Sequence, residues 1–511
     1  MNFASLPDRR ATLDPHGPAI SDGSQSLDNA QLLKRVRAAT HHLRELEIGP
    51  GDVVALRLRN RVEFVVLLFA AWRLDATITP VNPNLTDIEI VRQLSDSGAR
   101  LLVVEDDATP VGGVTTLAVG DLHTEAVSSV LEPQPQPSVL DVLYQAAVEW
   151  VRQPPRVDPS TVALLIYTSG TTGVPKGVML DHANIDAMVA MGVESLQLTP
   201  ADRCLLILPL FHVNGIVVSI LTPLLAGASV VIAGRFDPRS FFGLVESERP
   251  TFFSGVPTIY SMLAALPANI RPDTSSLRFG ICGAAPVSAD LLVRFEARYG
   301  FPLIEGYGLS EGTCGSTINP LVGPRRAGTV GLPFPGQEIR ILDAAGSEVA
   351  AGVDGEVVVR GPNVMRGYLG RPEETARVIV DGWLHTGDIG HLDAQGYLTL
   401  VGRSKDMIIR GGENLYPKEI EDVLVGHPAV VEAAVIGVPD AKWGEIVVAY
   451  VQPRPNSTVD PAWLKAACAR HLTPYKRPTS YFVVDAIPKN AVGKIDKVSL
   501  RTAHAAAAAG S

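Results

Sequence analysis

Residues 167–177 read YTSGTTGVPKG, three threonines, a serine, a lysine and three glycines in one loop-like run behind the apolar stretch 161–166. Such a run can hold phosphate. Glycine lets backbone approach an anion closely, and backbone N–H groups, hydroxyls and an ammonium all donate to its oxygens. It is not a Walker loop, which needs G-x-x-x-x-G-K-[ST], because Lys176 sits between Pro175 and Gly177. Taken alone, the run is either a phosphate loop of another kind or a polar surface turn.

Five further stretches carry residues that could do chemistry. PLFHVNG at 209–215 places His212 in apolar surroundings, as a core histidine or a pocket residue. GYGLSEG at 306–312 follows an expected strand, and its 308–312 portion matches the G-x-S-x-G elbow of α/β-hydrolases with Ser310 as nucleophile. That elbow requires a helix next, and 312–316, GTCGS, is a poor helix start. DGWLHTGDIG at 381–390 carries Asp388, which could hold a sugar hydroxyl or close an ordinary Asx-turn. GRSKDMIIRGGENLYPKEIE at 402–421 and PKNAVGKIDK at 488–497 complete the set.

The elements that must position these residues alternate in type. Periodicity predicts helices over 29–46 and 64–74, strands over 53–58, 76–81 and 100–105, and a helix started by a Thr86/Glu89 capping box. The alternation resumes with a helix start at 237–238 and strands at 251–256, 277–282 and 302–305, after a Pro/Gln loop at 132–138. This βα rhythm implies mostly parallel sheets covered by helices. After Gly328 short strands with glycine turns are expected at 339–343, 355–360 and 397–401. A compact α+β unit begins near 405, with strands at 406–409, 430–438, 446–451 and 480–484 and helices at 417–424 and 460–471. The expected fold class is therefore α/β: a large N-terminal domain of βα-layered sheets with a short β-rich subdomain, 1–403, and a small α+β domain, 404–505. The alanine-rich end, 506–511, reads as an unstructured tail.

Composition narrows the function. The chain has 511 residues, 46% hydrophobic and 19% charged, with a formal net charge of −10. It offers no general basic face to nucleic acid or an anionic membrane. The uncharged stretch 216–234 is divided by Pro223 and Gly227 and reads as a buried helix followed by a strand, so no integral membrane segment is expected. The N-terminus lacks an apolar signal region, and Cys204, Cys282, Cys314 and Cys468 have no metal-ligand spacing. A cytoplasmic, reducing location is expected.

Taken together and in order, the six stretches resemble the adenylate-forming (AMP-binding) superfamily, which includes acyl- and aryl-CoA ligases, firefly luciferase and peptide-synthetase adenylation domains. The resemblance runs from about Ser26 to about Leu500. It implies a large N-terminal domain, a mobile C-terminal domain, and a reaction in two halves. A carboxylate is joined to AMP from ATP with loss of pyrophosphate, and a thiol, usually that of CoA, then displaces AMP. The implied cofactors and co-substrates are ATP, Mg²⁺ and CoA.

The same resemblance implies roles. Thr168, Ser169, Gly170, Thr171, Thr172 and Lys176 wrap the β- and γ-phosphates. Gly283, Ala284 and Ala285 form a wall beside the nucleotide. Within Gly306, Tyr307 and Gly308 the tyrosine lies against adenine, Ser310 touches the α-phosphate, and Glu311 with Thr168 holds the metal. Asp388 and Arg403 hold the ribose, Lys405 is the hinge, and Gly411 and Gly412 line the thiol tunnel. Lys494 is the adenylation lysine, offsetting charge in the transition state. His212 gates an acyl pocket that also includes Val213, Gly215, Val256, Gly280 and Gly283.

These pocket segments bring small and apolar side chains and no charge, which favours an apolar monocarboxylic acid, a medium- or long-chain fatty acid before an aromatic one. Arg278 leaves open a malonate- or oxalate-type dicarboxylate. An aryl–CoA ligase and a stand-alone loader of a carrier protein also stay open, as does, from a different class, the Ser310 hydrolase. The expected partners are small molecules, with allowance for a homodimer.

Overall fold

The computed structural model describes residues 3–109, 111–122, 154–155, 157–168, 175–285, 287–411, 413–440, 442–455, 457–489 and 495–509. The Pro/Gln loop expected at 132–138 lies outside them. The fold is mixed α/β and divides into two compact units, Met1–Glu338 with Val359–Leu384, and Ile339–Val358 with His385–Ser511.

The first unit contains two sheets. One has the strand order Gly367–Tyr368, Lys176–Asp181, Val162–Thr168, Thr77–Pro80, Val53–Arg57, Ala99–Val104 and Thr115–Ala118. Its last five strands pair in parallel, and its first two pairings are antiparallel. The other sheet has six successive parallel strands: Pro18–Ser21, Ser229–Ile232, Arg203–Leu206, Phe252–Gly255, Phe279–Cys282 and Leu303–Tyr307. Antiparallel strands flank it on both edges, Ser26–Asp28 at one and Thr317–Ile318 then Leu332–Pro333 at the other. The central parallel strands are buried along their length, the continuous apolar pattern of strands covered on both faces.

Local chemistry explains the helices. Thr86 and Glu89 form the expected reciprocal capping box, as do Asp28 with Gln31 and Asp181 with Asn184. The uncharged stretch becomes helix and then strand, with a π-helical turn over Val217–Leu221. Pro223 has no N–H to give the carbonyl four residues back, and the Thr222 N–H instead bonds the Val217 carbonyl. Among the described residues no helix is long and apolar enough to cross a membrane.

In the second unit, segments 339–342, 355–358 and 385–392 share a sheet with Leu398–Arg403. A further sheet runs Glu413–Leu415, Ile408–Arg410, Gly444–Pro453, Val430–Asp440, with Ser480–Val483 parallel to Gly444–Pro453. Its own core gathers Ile420, Leu424, Val435, Val447 and Leu464. The alanine-rich end departs from the expected tail. Helix Lys497–Ala509 runs through it, because alanine has the best helix propensity and Asp496 caps the start through the Ser499 N–H at 3.0 Å. The Tyr450 hydroxyl and His504 Nδ1, 2.7 Å apart, fasten the helix to the sheet.

Candidate active site

The phosphate-type run begins and ends on two antiparallel strands. Val162–Thr168 and Lys176–Asp181 pair so that Thr168 and Lys176 are direct cross-strand partners. Ser169, Gly170, Thr171 and Thr172 lie outside the described residues. Strand pairing therefore brings together a hydroxyl and an ammonium from the two ends of the run.

Lys176 does not stand alone. Its ammonium is ion-paired with Glu374 and lies 5.0 Å from the ring centre of Tyr368. Tyr368 reaches this place because Gly367–Tyr368 pairs with Met179 and Val178 of the hairpin. Its hydroxyl donates to Glu311 Oε1 at 2.9 Å. Burial, then the neighbouring Glu311 carboxylate, push the Tyr368 phenol up, so it remains a donor. Glu374 also accepts from Arg371 at 3.0 Å. Hydrogen bonds from Lys176, then Arg371, hold the Glu374 carboxyl below its ordinary value.

Glu311 comes from the turn after Leu303–Tyr307. Ser310–Gly312 is one 3₁₀ turn, and Thr313 and Cys314 follow with φ of 51° and 97°. A Cβ on Gly308 would lie 1.7 Å from the Cys314 carbonyl oxygen, so only glycine lets the loop close on itself. The chain then returns as Thr317–Ile318, antiparallel to Gly306–Tyr307. This removes the hydrolase reading. An elbow needs strand, turn and helix, and Ser310 is followed by a strained turn and a strand.

Gly283, Ala284, His212, Gly215 and Val256 follow the C-terminal ends of parallel strands, where open α/β sheets bind ligands. Gly283 follows Phe279–Cys282 and donates to the Gly255 carbonyl at 3.3 Å, and Ala284 adopts φ of 67°. His212 precedes the short helix Val213–Ile216, with its ring centre 4.5 Å from that of Phe211. Gly215 is close against the Pro209 carbonyl, which a Cβ would meet at 2.6 Å. Val256 begins the Pro257–Ala264 helix, and Val213 is buried in the main core.

Gly280 and Arg278 lie within and just before one strand, Phe279–Cys282. Gly280 is mid-strand, and a Cβ there would meet Leu303 at 2.8 Å and the Tyr260 hydroxyl at 3.0 Å. The side of the strand to which that Cβ would point is packed. Arg278 precedes the same strand at its opposite end. Five residues of strand, about 16 Å, separate it from Gly283, and it is ion-paired with buried Asp202.

In the second unit Asp388 and Arg403 are cross-strand partners on Trp383–Leu392 and Leu398–Arg403. Arg403 Nε lies 2.8 Å from Asp388 Oδ1, and the Asp388 N–H donates to Thr386 Oγ1 at 3.0 Å. Lys405 follows in a 3₁₀ turn, its ammonium pushed down by burial and then by Arg403. Gly411, φ 62°, donates to the Trp443 carbonyl at 2.7 Å. Gly412 and Lys494 lie outside the described residues.

This set of loops matches a known family along most of the chain. Residues 6–369 match the AMP-binding enzyme family, and residues 419–494 match the AMP-binding enzyme C-terminal domain. The chain belongs to the AMP-binding enzyme family. It is an acid–thiol ligase of the adenylate-forming type. A feruloyl-CoA synthase of Amycolatopsis sp is 39% identical over 500 residues, 98% of each chain. An oxalate–CoA ligase of Arabidopsis thaliana is 38% identical over 505 residues, 96% of this chain and 95% of the relative. The crystal structure of ATP-bound MatB from Rhodopseudomonas palustris superposes with a TM-score of 0.87 at 32% identity, covering 99% of both chains.

Tyr368, Arg371 and Glu374 join the site without a sequence signal for it. Pro372 followed by Glu373 and Glu374 is a recognisable helix start, here Pro372–Val378. Nothing in that local pattern reveals that it meets a lysine almost two hundred positions earlier.

Proposed function

We propose that this AMP-binding enzyme is an ATP-dependent acid–CoA ligase acting on an apolar monocarboxylic acid. The observation that carries the proposal is the gathering of Thr168, Lys176 and Glu311, with Tyr368 between the last two, at the edge of the C-terminal strand ends. Lys176 and the Thr168 hydroxyl suit phosphate oxygens, and the Gly308-dependent loop presents Ser310 and Glu311 beside them.

Magnesium fits this donor set. Among the described residues no three His, Cys, Asp or Glu side chains cluster as a metal cage. One carboxylate completed by substrate phosphates is the usual magnesium arrangement. Glu311, with the Thr168 hydroxyl, would hold the ion, and Tyr368 orients the Glu311 carboxylate by its hydrogen bond. The ion would neutralise phosphate charge.

Asp388 and Arg403 are assigned to the ribose hydroxyls, and Lys494 to the bridge between carboxylate and α-phosphate. Lys405 is assigned as the pivot between the two half-reactions. Lys405→Pro would fix φ near −65° and is expected to damage one half-reaction more than the other. Equal rates in both would put the pivot elsewhere.

For the acid, Val213, Val256 and the small residues at Gly215 and Gly283 support an apolar tail, since a buried charge would lack a partner. Arg278, committed to Asp202, gives a second carboxylate no support. Both fatty and aryl acids satisfy this chemistry. The test is CoA-thioester formation from octanoate, palmitate, benzoate, cinnamate, malonate and oxalate at limiting concentration. The apolar acids are expected to lead. A clear preference for malonate or oxalate would overturn the apolar reading, and transfer to a carrier-protein thiol but not to CoA would overturn the acceptor.

A further inference from the structure

We infer that Glu374 is an exchange partner for Lys176: a resident carboxylate that occupies the lysine when no phosphate is bound and reclaims it as pyrophosphate departs. The inference rests on the proposed reading of Lys176 as a phosphate ligand.

Glu374 lies in the first turn of Pro372–Val378, and the preceding Gly367–Tyr368 strand is hydrogen-bonded to the hairpin that carries Lys176. The Leu369 N–H donates to the Gly177 carbonyl at 2.8 Å, and the Tyr368 N–H donates to Thr375 Oγ1 at 2.9 Å. Strand and helix start are thus fixed against the base of the hairpin, so the carboxylate is presented to the lysine by backbone and not by a floppy loop.

Chemistry makes the pairing exchangeable. A carboxylate and a phosphate oxygen are both anionic acceptors for an ammonium. Glu374 has a second cation, Arg371, at 3.0 Å on the same helix turn. When Lys176 turns to a phosphate, Glu374 keeps Arg371 and is not left as an unpaired charge. Lys176 meanwhile keeps its place over the Tyr368 ring, 5.0 Å from its centre, which limits how far the ammonium must travel. Lys176 is largely buried, at 13%, while Glu374 is partly exposed, at 27%, so solvent and ligand reach the pair from its carboxylate side.

Competition has a definite thermodynamic signature. A ligand that needs free Lys176 binds more weakly by the fraction of time Glu374 holds it. Removing the carboxylate must therefore tighten ATP and pyrophosphate by a similar factor and leave the carboxylic acid unaffected. A merely structural role would weaken all three.

The experiment compares Glu374→Gln, Glu374→Asp and Arg371→Gln in the full chain, with inorganic pyrophosphate as the probe. Glu374→Gln should lower the pyrophosphate inhibition constant about two- to fivefold, the range of a partly exposed ion pair, and lower the KM for ATP in parallel. The KM for the acid should not move, and Glu374→Asp should return values toward the parent. Arg371→Gln should act in the opposite sense, because Glu374 then relies on Lys176 alone. An unchanged or raised pyrophosphate constant in Glu374→Gln, or the same direction of change in Glu374→Gln and Arg371→Gln, overturns the inference. Should Glu374→Gln not fold, the sign in Arg371→Gln decides by itself. Failure of the parent enzyme to release pyrophosphate with any acid would instead overturn the function on which the inference rests.

Discussion

The two compact units position their nucleotide-type residues by different physics. In the second, Asp388 and Arg403 are neighbours because one antiparallel register makes them so, and the buried carboxylate (6% exposed) meets a half-exposed guanidinium at 2.8 Å. In the first, Lys176, Glu311, Tyr368 and Glu374 come from a hairpin, a strained turn, a short strand and a helix start spread over almost two hundred positions. A ladder tolerates side-chain change because the backbone holds the register. A loop cluster depends on backbone positions that one residue type alone can adopt, such as Gly308. The contrast teaches where substitutions should cost chemistry and where they should cost only affinity.

The largest expected effect is at Lys176. Lys176→Ala removes a preorganised donor and should slow adenylate formation about 10²- to 10³-fold, measured as pyrophosphate release. Thioester formation from supplied acyl-AMP should change far less, and equal losses in both halves would break the assignment to phosphate.

Gly308→Ala is next. It deletes no functional group, yet its Cβ must push back the Cys314 carbonyl and with it Ser310 and Glu311. A displacement on the order of 1 Å at reacting groups costs about 10²-fold. Near-parent activity with an unaltered circular dichroism spectrum would show that the loop is not backbone-determined.

A third effect concerns the core beneath the hairpin. His182 follows the Lys176–Asp181 strand and packs edge-on against Trp72 at 5.3 Å, and among the described residues neither ring nitrogen has a hydrogen-bond partner. Burial pushes its imidazole down to about 4. The unfolded chain therefore takes up the proton first. The stabilising contribution is complete above about pH 6.5 and is lost as pH falls toward 4, by about 2 kcal/mol at pH 5 relative to pH 7. His182→Leu should flatten this acid limb in urea-unfolding midpoints. An identical pH slope in both proteins would contradict it.

The smallest effect is expected on the ladder. Asp388→Asn keeps the register and loses a charged acceptor, so the KM for ATP should rise about tenfold with kcat within a few-fold. A collapse of kcat comparable to that of Lys176→Ala would erase the distinction between the two units.

The same contrast governs what local sequence reveals. Strands and helices of the parallel sheets follow from periodicity, and the Thr86/Glu89 cap and the strand at 355–360 lie where expected. The pairing of Asp388 with Arg403 is approachable from sequence, since both residues are assigned to one sugar. Tyr368 and Glu374 are not, because contacts between distant segments leave no mark on local pattern. The surroundings of Gly280 are hidden for a related reason. A glycine in a strand signals close packing as readily as open space, and only the neighbouring Leu303 and Tyr260 decide which. The alanine-rich terminus reads as a tail by its low complexity, whereas its helix propensity and the Asp496 cap determine its form.

The central claim is that the protein makes an acyl-adenylate from a free acid and ATP. Exchange of labelled pyrophosphate into ATP, in the absence of CoA, tests that step alone. Exchange that requires an apolar carboxylic acid and magnesium, and that Lys176→Ala nearly abolishes, is the expected result. No acid-dependent exchange across the panel, or ADP with orthophosphate as the nucleotide products, would contradict it.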